Sequence, residues 1–90
     1  MSINYKPNFK PKAHKDFVYF SGHNKEVARK ILELIDDIQK HPYSGIGKPE
    51  ALKHNLSGWW SRRIDQKNRL VYKIEVDKII ISSCRFHYTK

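Results

Sequence analysis

The chain is predicted to be an α+β domain in which two N-terminal helices pack on a twisted antiparallel sheet. Three observations predict it. Ninety residues suffice for one core and not two, because each half of a divided chain would bury too little apolar surface to offset its chain entropy. Apolar residues recur at helical spacing through the first half. From Trp59 onward the repeat changes to two residues, broken by short polar turns.

The opening stretch carries Pro7 beside Asn8 and Phe9, with Pro11 close behind. Proline cannot donate to a sheet ladder, so an extended arm is expected there, or at most a short edge strand. Pro11 suits the first turn of a helix, along which Ala13, Phe17 and Phe20 recur until Ser21-Gly22, where the helix is expected to end. Asn24 then caps a second helix whose Val27, Ile31, Leu34, Ile35 and Ile38 form one apolar stripe. Its other face carries Lys25, Glu26, Arg29, Lys30, Glu33, Asp36 and Asp37, a solvated or docking surface, and Pro42 stops it. The following YSGIGKP is a loop that lacks the spacing and the Ser or Thr of a phosphate-cradling motif. Three strands over residues 59–64, 69–76 and 79–88, with turns at 65–68 and 77–78, complete an antiparallel meander with one face under the helices.

Strand alternation sorts the side chains into two faces. In the middle strand Leu70, Tyr72, Ile74 and Val76 form the inward set, which leaves Arg69 on the open face. In the last strand Ile80, Ser82, Cys84 and Phe86 fall together; with these inward, Arg85 and His87 lie on the open side. In the first, Trp60 and Ile64 point inward and Trp59, Ser61 and Arg63 outward. Arg62 is the exception, since it shares the inward phase and therefore needs a carboxylate partner, from the long helix, or an edge from which to reach water. One sheet face thus collects Arg63, Arg69, Arg85 and His87, with Glu50, Lys53 and His54 delivered nearby by KPEALKH.

Eighteen Lys and Arg against nine Asp and Glu give a net charge of +9. A field of that size favours a polyanion, whether RNA, DNA or an acidic protein, and does not choose among them. The single cysteine, Cys84, permits no internal disulfide and fits a buried position in a reducing cytosol. No apolar run reaches the roughly 18 residues of a membrane span, and the N-terminal stretch lacks the apolar centre of a signal peptide, so a cytoplasmic protein without membrane association is expected. The five histidines have no ligand spacing on one helix face, and neither metal nor cofactor is expected.

RNA can be cut without metal when its 2′-hydroxyl attacks the adjacent phosphate, which requires a base, an acid and cations around the phosphorus. Glu50 suits the base and His87 the acid, because a carboxylate is ionised at neutral pH and an imidazole is readily protonated. An arginine fork matches two phosphate oxygens at once. Trp59 and Tyr88 add flat surfaces for unstacked bases. Scattered surface charge on a basic RNA-binding protein without chemistry is the competing reading.

The stretch GIGKPEALKHNLSGWWSRRIDQKNRLVY, with the terminal CRFHY, resembles the YoeB (Txe) toxins of the RelE superfamily over roughly residues 13–88. The resemblance implies a RelE-like fold and a ribosome-dependent endoribonuclease that cuts messenger RNA in the 30S A site. It implies Glu50 as general base, His87 as general acid and Arg69 at the transition state, with Lys53, Arg63 and Tyr88 at positions that contact phosphate or base. It also implies an acidic YefM-like antitoxin, operator DNA bound only by the toxin-antitoxin pair, and toxin homodimers. This chain departs from the pattern where Pro7 interrupts the first segment and where Thr89-Lys90 follow Tyr88. A ParE-like toxin that acts by protein contact is the rival within the superfamily, and it would give Glu50 and His87 no task.

Overall fold

The computed structural model describes residues 5–86. Strands β1 (Lys6–Phe9), β2 (Glu50–Ala51), β3 (Trp60–Arg63), β4 (Arg69–Glu75) and β5 (Lys78–Ser83) form one sheet in the order β1-β5-β4-β3-β2. Helices α1 (Pro11–His23) and α2 (Lys25–Lys40) pack on one of its faces. The two-helix, one-sheet α+β arrangement is the expected one. The sheet, however, is mixed: β1 runs parallel to β5, and every other pair is antiparallel.

β1 forms despite Pro7 because, among the described residues, it pairs along one edge only. The Lys6 and Lys10 amides donate to the Asp77 and Ile81 carbonyls at 2.8 and 2.9 Å. Amides facing β5 alternate along the strand, so the proline falls on the outward side, where no donor is required. α1 likewise runs past Ser21-Gly22. The Ser21 hydroxyl donates back to the Phe17 carbonyl, and the helix closes only when the Asn24 amide donates to the Phe20 carbonyl at 2.7 Å. The Asn24 side chain then accepts the Val27 amide and so caps α2. One residue ends one helix and begins the next.

The predicted stripe of α2, with Ala28 added, meets Ala13 and Phe20 of α1 and Leu70, Tyr72, Ile79, Ile81 and Cys84 of the sheet side. Three phase assignments differ from simple alternation. Tyr72 pairs with Ile81 and Val71 with Ser83, which leaves Ser82 as an unpaired bulge residue. Ile79 and Ile81 are therefore inward, Ile80 and Ser82 are not, and the extra residue returns Cys84 to the core. Val76 sits in the β4–β5 turn with φ +56° and is 93% exposed rather than buried. β5 ends at Ser83, and Phe86, expected inward, is 58% exposed with φ +67°. β2, a two-residue strand on the far edge, was not anticipated.

Candidate active site

The open face is positioned from behind by Arg62. Its side chain is fully buried, and all three guanidinium nitrogens are hydrogen-bonded: Nη1 to Asp37 Oδ2 at 2.6 Å and to the Ile46 carbonyl, Nη2 to the His41 and Ser44 carbonyls, Nε to the Tyr72 hydroxyl at 3.2 Å. Tyr72 in turn donates to the Pro42 carbonyl at 2.7 Å. Of the two expected solutions for Arg62, a helix carboxylate or an edge position, the structure has the first: the carboxylate is Asp37, which is half-buried rather than part of a solvated face. Burial alone would raise its carboxyl, but the Arg62 hydrogen bond, the Ile46 amide and the Arg62 charge outweigh it and hold the group below the usual carboxylate range. The loop from His41 to Gly47 is wound around this guanidinium. At Gly47, with φ +80°, a Cβ would press on Leu34 and the Arg63 carbonyl, so the loop passes tightly under β3 and delivers Glu50 to its edge.

On the other face Glu50 of β2 lies opposite Ser61 of β3, and Arg63 lies opposite Arg69 of β4. Arg69 is buried on this side; its Nε donates to Ser61 Oγ at 3.0 Å, and its Nη2 is 3.6 Å from Glu50 Oε1. The hydroxyl fixes the plane of the guanidinium beside the carboxylate. Two arginines directly opposed on one face repel one another, an arrangement that a bound anion relieves. Lys53 and His54 follow β2 as exposed residues, and with Glu50 they line a cleft of about 360 Å³ along residues 50–56. Trp59 is half-buried, with the Lys73 and Lys10 ammonium groups 4.9 and 5.6 Å from its ring centre.

Glu50, Arg63, Arg69 and Lys53 are brought to one region as expected, and Trp59 lies with the Lys73 cation of the same sheet face. Arg85 is not there. Its guanidinium lies 3.6 Å over the Tyr19 ring of α1, because β5 ends at Ser83 and strand alternation no longer sets the side-chain directions beyond it. His87 and Tyr88 lie outside the described residues, but the preceding main chain reaches the site: the Arg69 amide donates to the Phe86 carbonyl at 3.3 Å. Ser61 was missed as a functional partner. Its signal was a small hydroxyl in the same strand phase as Arg63, facing the strand that carries Arg69. Among the described residues no group of three or more His, Cys, Asp or Glu could hold a metal ion, and no helix is long and apolar enough to cross a membrane.

Two helices on a mixed sheet with a cationic open face define the RelE-like class of bacterial toxins. The YoeB dimer from Staphylococcus aureus matches with a TM-score of 0.89 and 43% identity, covering 94% of this chain and 99% of that one. A chain of the heterotetrameric YoeB-YefM toxin-antitoxin complex from the same organism matches with a TM-score of 0.87 and 44% identity, covering 93% and 98%. Toxin YoeB of Escherichia coli strain K12 is 51% identical over 73 residues, 81% of this chain and 87% of the relative. Residues 9–88 match the YoeB-like toxins of bacterial type II toxin-antitoxin systems, and the chain belongs to that family.

Proposed function

We propose that this toxin is a metal-independent endoribonuclease that cuts messenger RNA in the ribosomal A site. Glu50 takes the proton of a 2′-hydroxyl, the 2′-oxygen bonds to the adjacent phosphorus, and the bond to the 5′-oxygen breaks as His87 protonates that leaving group. Arg69, with Arg63 opposite, carries the charge that grows on the non-bridging oxygens. The products are a 2′,3′-cyclic phosphate and a 5′-hydroxyl. Tyr88 completes the reacting group, while Lys53 holds backbone phosphate and Trp59 stacks a base. Arg85, set against α1, meets RNA only outside this face. The observation that supports the reading best is the Glu50 carboxylate 3.6 Å from a hydroxyl-braced, buried Arg69 that directly opposes a second arginine.

In the cell the partner is an acidic antitoxin, as the YefM pairing of the S. aureus toxin and the +9 charge suggest together; operator DNA is bound only by that pair. A toxin homodimer is expected by the same comparison. Mapping of message 5′ ends after induced expression tests the activity, with cuts in phase with codons as the expected result. Purified protein on programmed ribosomes tests the chemistry, and a 3′-hydroxyl product would refute it. Glu50→Gln and His87→Gln are each expected to slow cleavage by about 10²-fold or more while ribosome binding persists; unchanged rates would remove these residues from their roles.

A further inference from the structure

Between Arg69 and the end of the described chain stands Asn68, a residue the proposed proton transfers do not use. It is 7% exposed, and every polar atom of its side chain is engaged. Nδ2 donates to both Asp65 carboxylate oxygens at 3.1 Å, and Oδ1 accepts the Phe86 amide at 2.6 Å. Its main chain is locked in the same turn, the amide donating to Asp65 Oδ1 at 2.7 Å and the carbonyl accepting the Ile64 amide at 2.9 Å. The adjoining Arg69 amide reaches the Phe86 carbonyl. One dipeptide therefore grips Phe86 at both its amide and its carbonyl.

Phe86 needs that grip. Its φ of +67° is a left-handed conformation costly to a bulky residue, and its ring, 58% exposed, supplies little burial to offset the cost. Two residues earlier the Cys84 amide donates to the buried Asp16 carboxylate at 3.0 Å, so the segment is pinned at both ends. Opposite Asp65, the side chain at position 68 must donate toward the carboxylate and accept from Phe86 at once, which an asparagine amide does with its two ends.

We infer that Asn68, oriented by Asp65, is a positioning residue that holds the backbone just before His87 in register with Arg69. This rests on the proposed cleavage reaction, in which the imidazole and the guanidinium must meet at one phosphate. Asn68→Ala is expected to lower single-turnover cleavage on programmed ribosomes by about 10²-fold with ribosome affinity unchanged. Asn68→Asp alone also loses activity, since two carboxylates then face each other. The double exchange D65N/N68D keeps the net charge, with the donating amide now at 65 and the accepting carboxylate at 68, and is expected to recover most of the rate. Where Asn68→Ala is too unstable to purify, Asn68→Asp and the exchange carry the test.

The decisive measurement repeats these substitutions in the His87→Gln background, where a residue acting through the imidazole adds little further loss. A full multiplicative loss there, or an exchange that recovers nothing, overturns the inference. A wild-type protein that does not cut message defeats the underlying reaction, whereas a cutting wild type indifferent to Asn68 defeats only this assignment.

Discussion

Arg62 shows how much a single side chain can organise. A guanidinium with no exposure is tolerated because one carboxylate, three carbonyls and a phenol surround it. Removing the carboxylate strands the charge. Asp37→Ala is therefore expected to cost about 3–5 kcal/mol in chemical denaturation, and a loss below about 1 kcal/mol would show that the carbonyls suffice. The pH dependence follows from the depressed carboxyl of Asp37. A group held below its unfolded value contributes stability that is present above that value, near 3.8, and lost as the pH falls through the folded one. Asp37→Asn should flatten the acid limb of the stability curve, measured by denaturation from neutral pH downward. At this scale the sequence was partly legible. Alternation singled out Arg62 and left it a carboxylate or an edge, while the solvated appearance of Asp37 concealed the acceptor. Glu50, Arg63 and Arg69 were legible as charges in one strand phase or beside it. Ser61 and Asn68 were not, because a hydrogen bond between strands depends on register, which one-dimensional spacing does not contain.

The elements were legible wherever one period ran unbroken. α2 has its expected cap, stripe and stop because nothing interrupts the 3.6-residue repeat between Asn24 and Pro42. β5 was misassigned because one extra residue inverts a two-residue repeat, and a bulge leaves no mark in composition. Deletion of Ser82 tests this account. It should close the ladder into an unbroken repeat, with Ser83 opposite Val71 directly after Ile81 opposite Tyr72, and leave Cys84 in the core. Burial, with the Asp16 carboxylate beside it, pushes the Cys84 thiol up to about 12 in the intact protein, so thiol reagents should label wild type and the deletion variant equally slowly. Rapid labelling of the deletion variant would show that the extra residue lies elsewhere. Ser21-Gly22 misled for a different reason. Helix ends are set by where the backbone groups find partners, and Asn24 supplies them three residues beyond the serine.

For the molecule as a whole, the fold class followed from length and from the change of period, whereas the parallel edge strand did not. A parallel pairing joins segments far apart in sequence and leaves no local turn to announce it. The charge was equally legible and less specific; the proposed nuclease reading rests on the open face and not on the net +9. Each phosphate contact releases counterions, so Lys53→Ala and Arg63→Ala should each reduce the salt-dependence slope of binding by about 0.7, the single-strand value per contact. Slopes identical to wild type would take these two residues off the RNA path.

The outward rim of β1 has a consequence of its own. Pro7 leaves a gap in the row of amides there, and Lys6, Asn8 and Lys10 surround it with polar and charged groups. A foreign strand sliding alongside meets a missing donor and two ammonium groups, so the ladder cannot be extended to another molecule on that side. The proline that argued against a strand guards the finished sheet from aggregation.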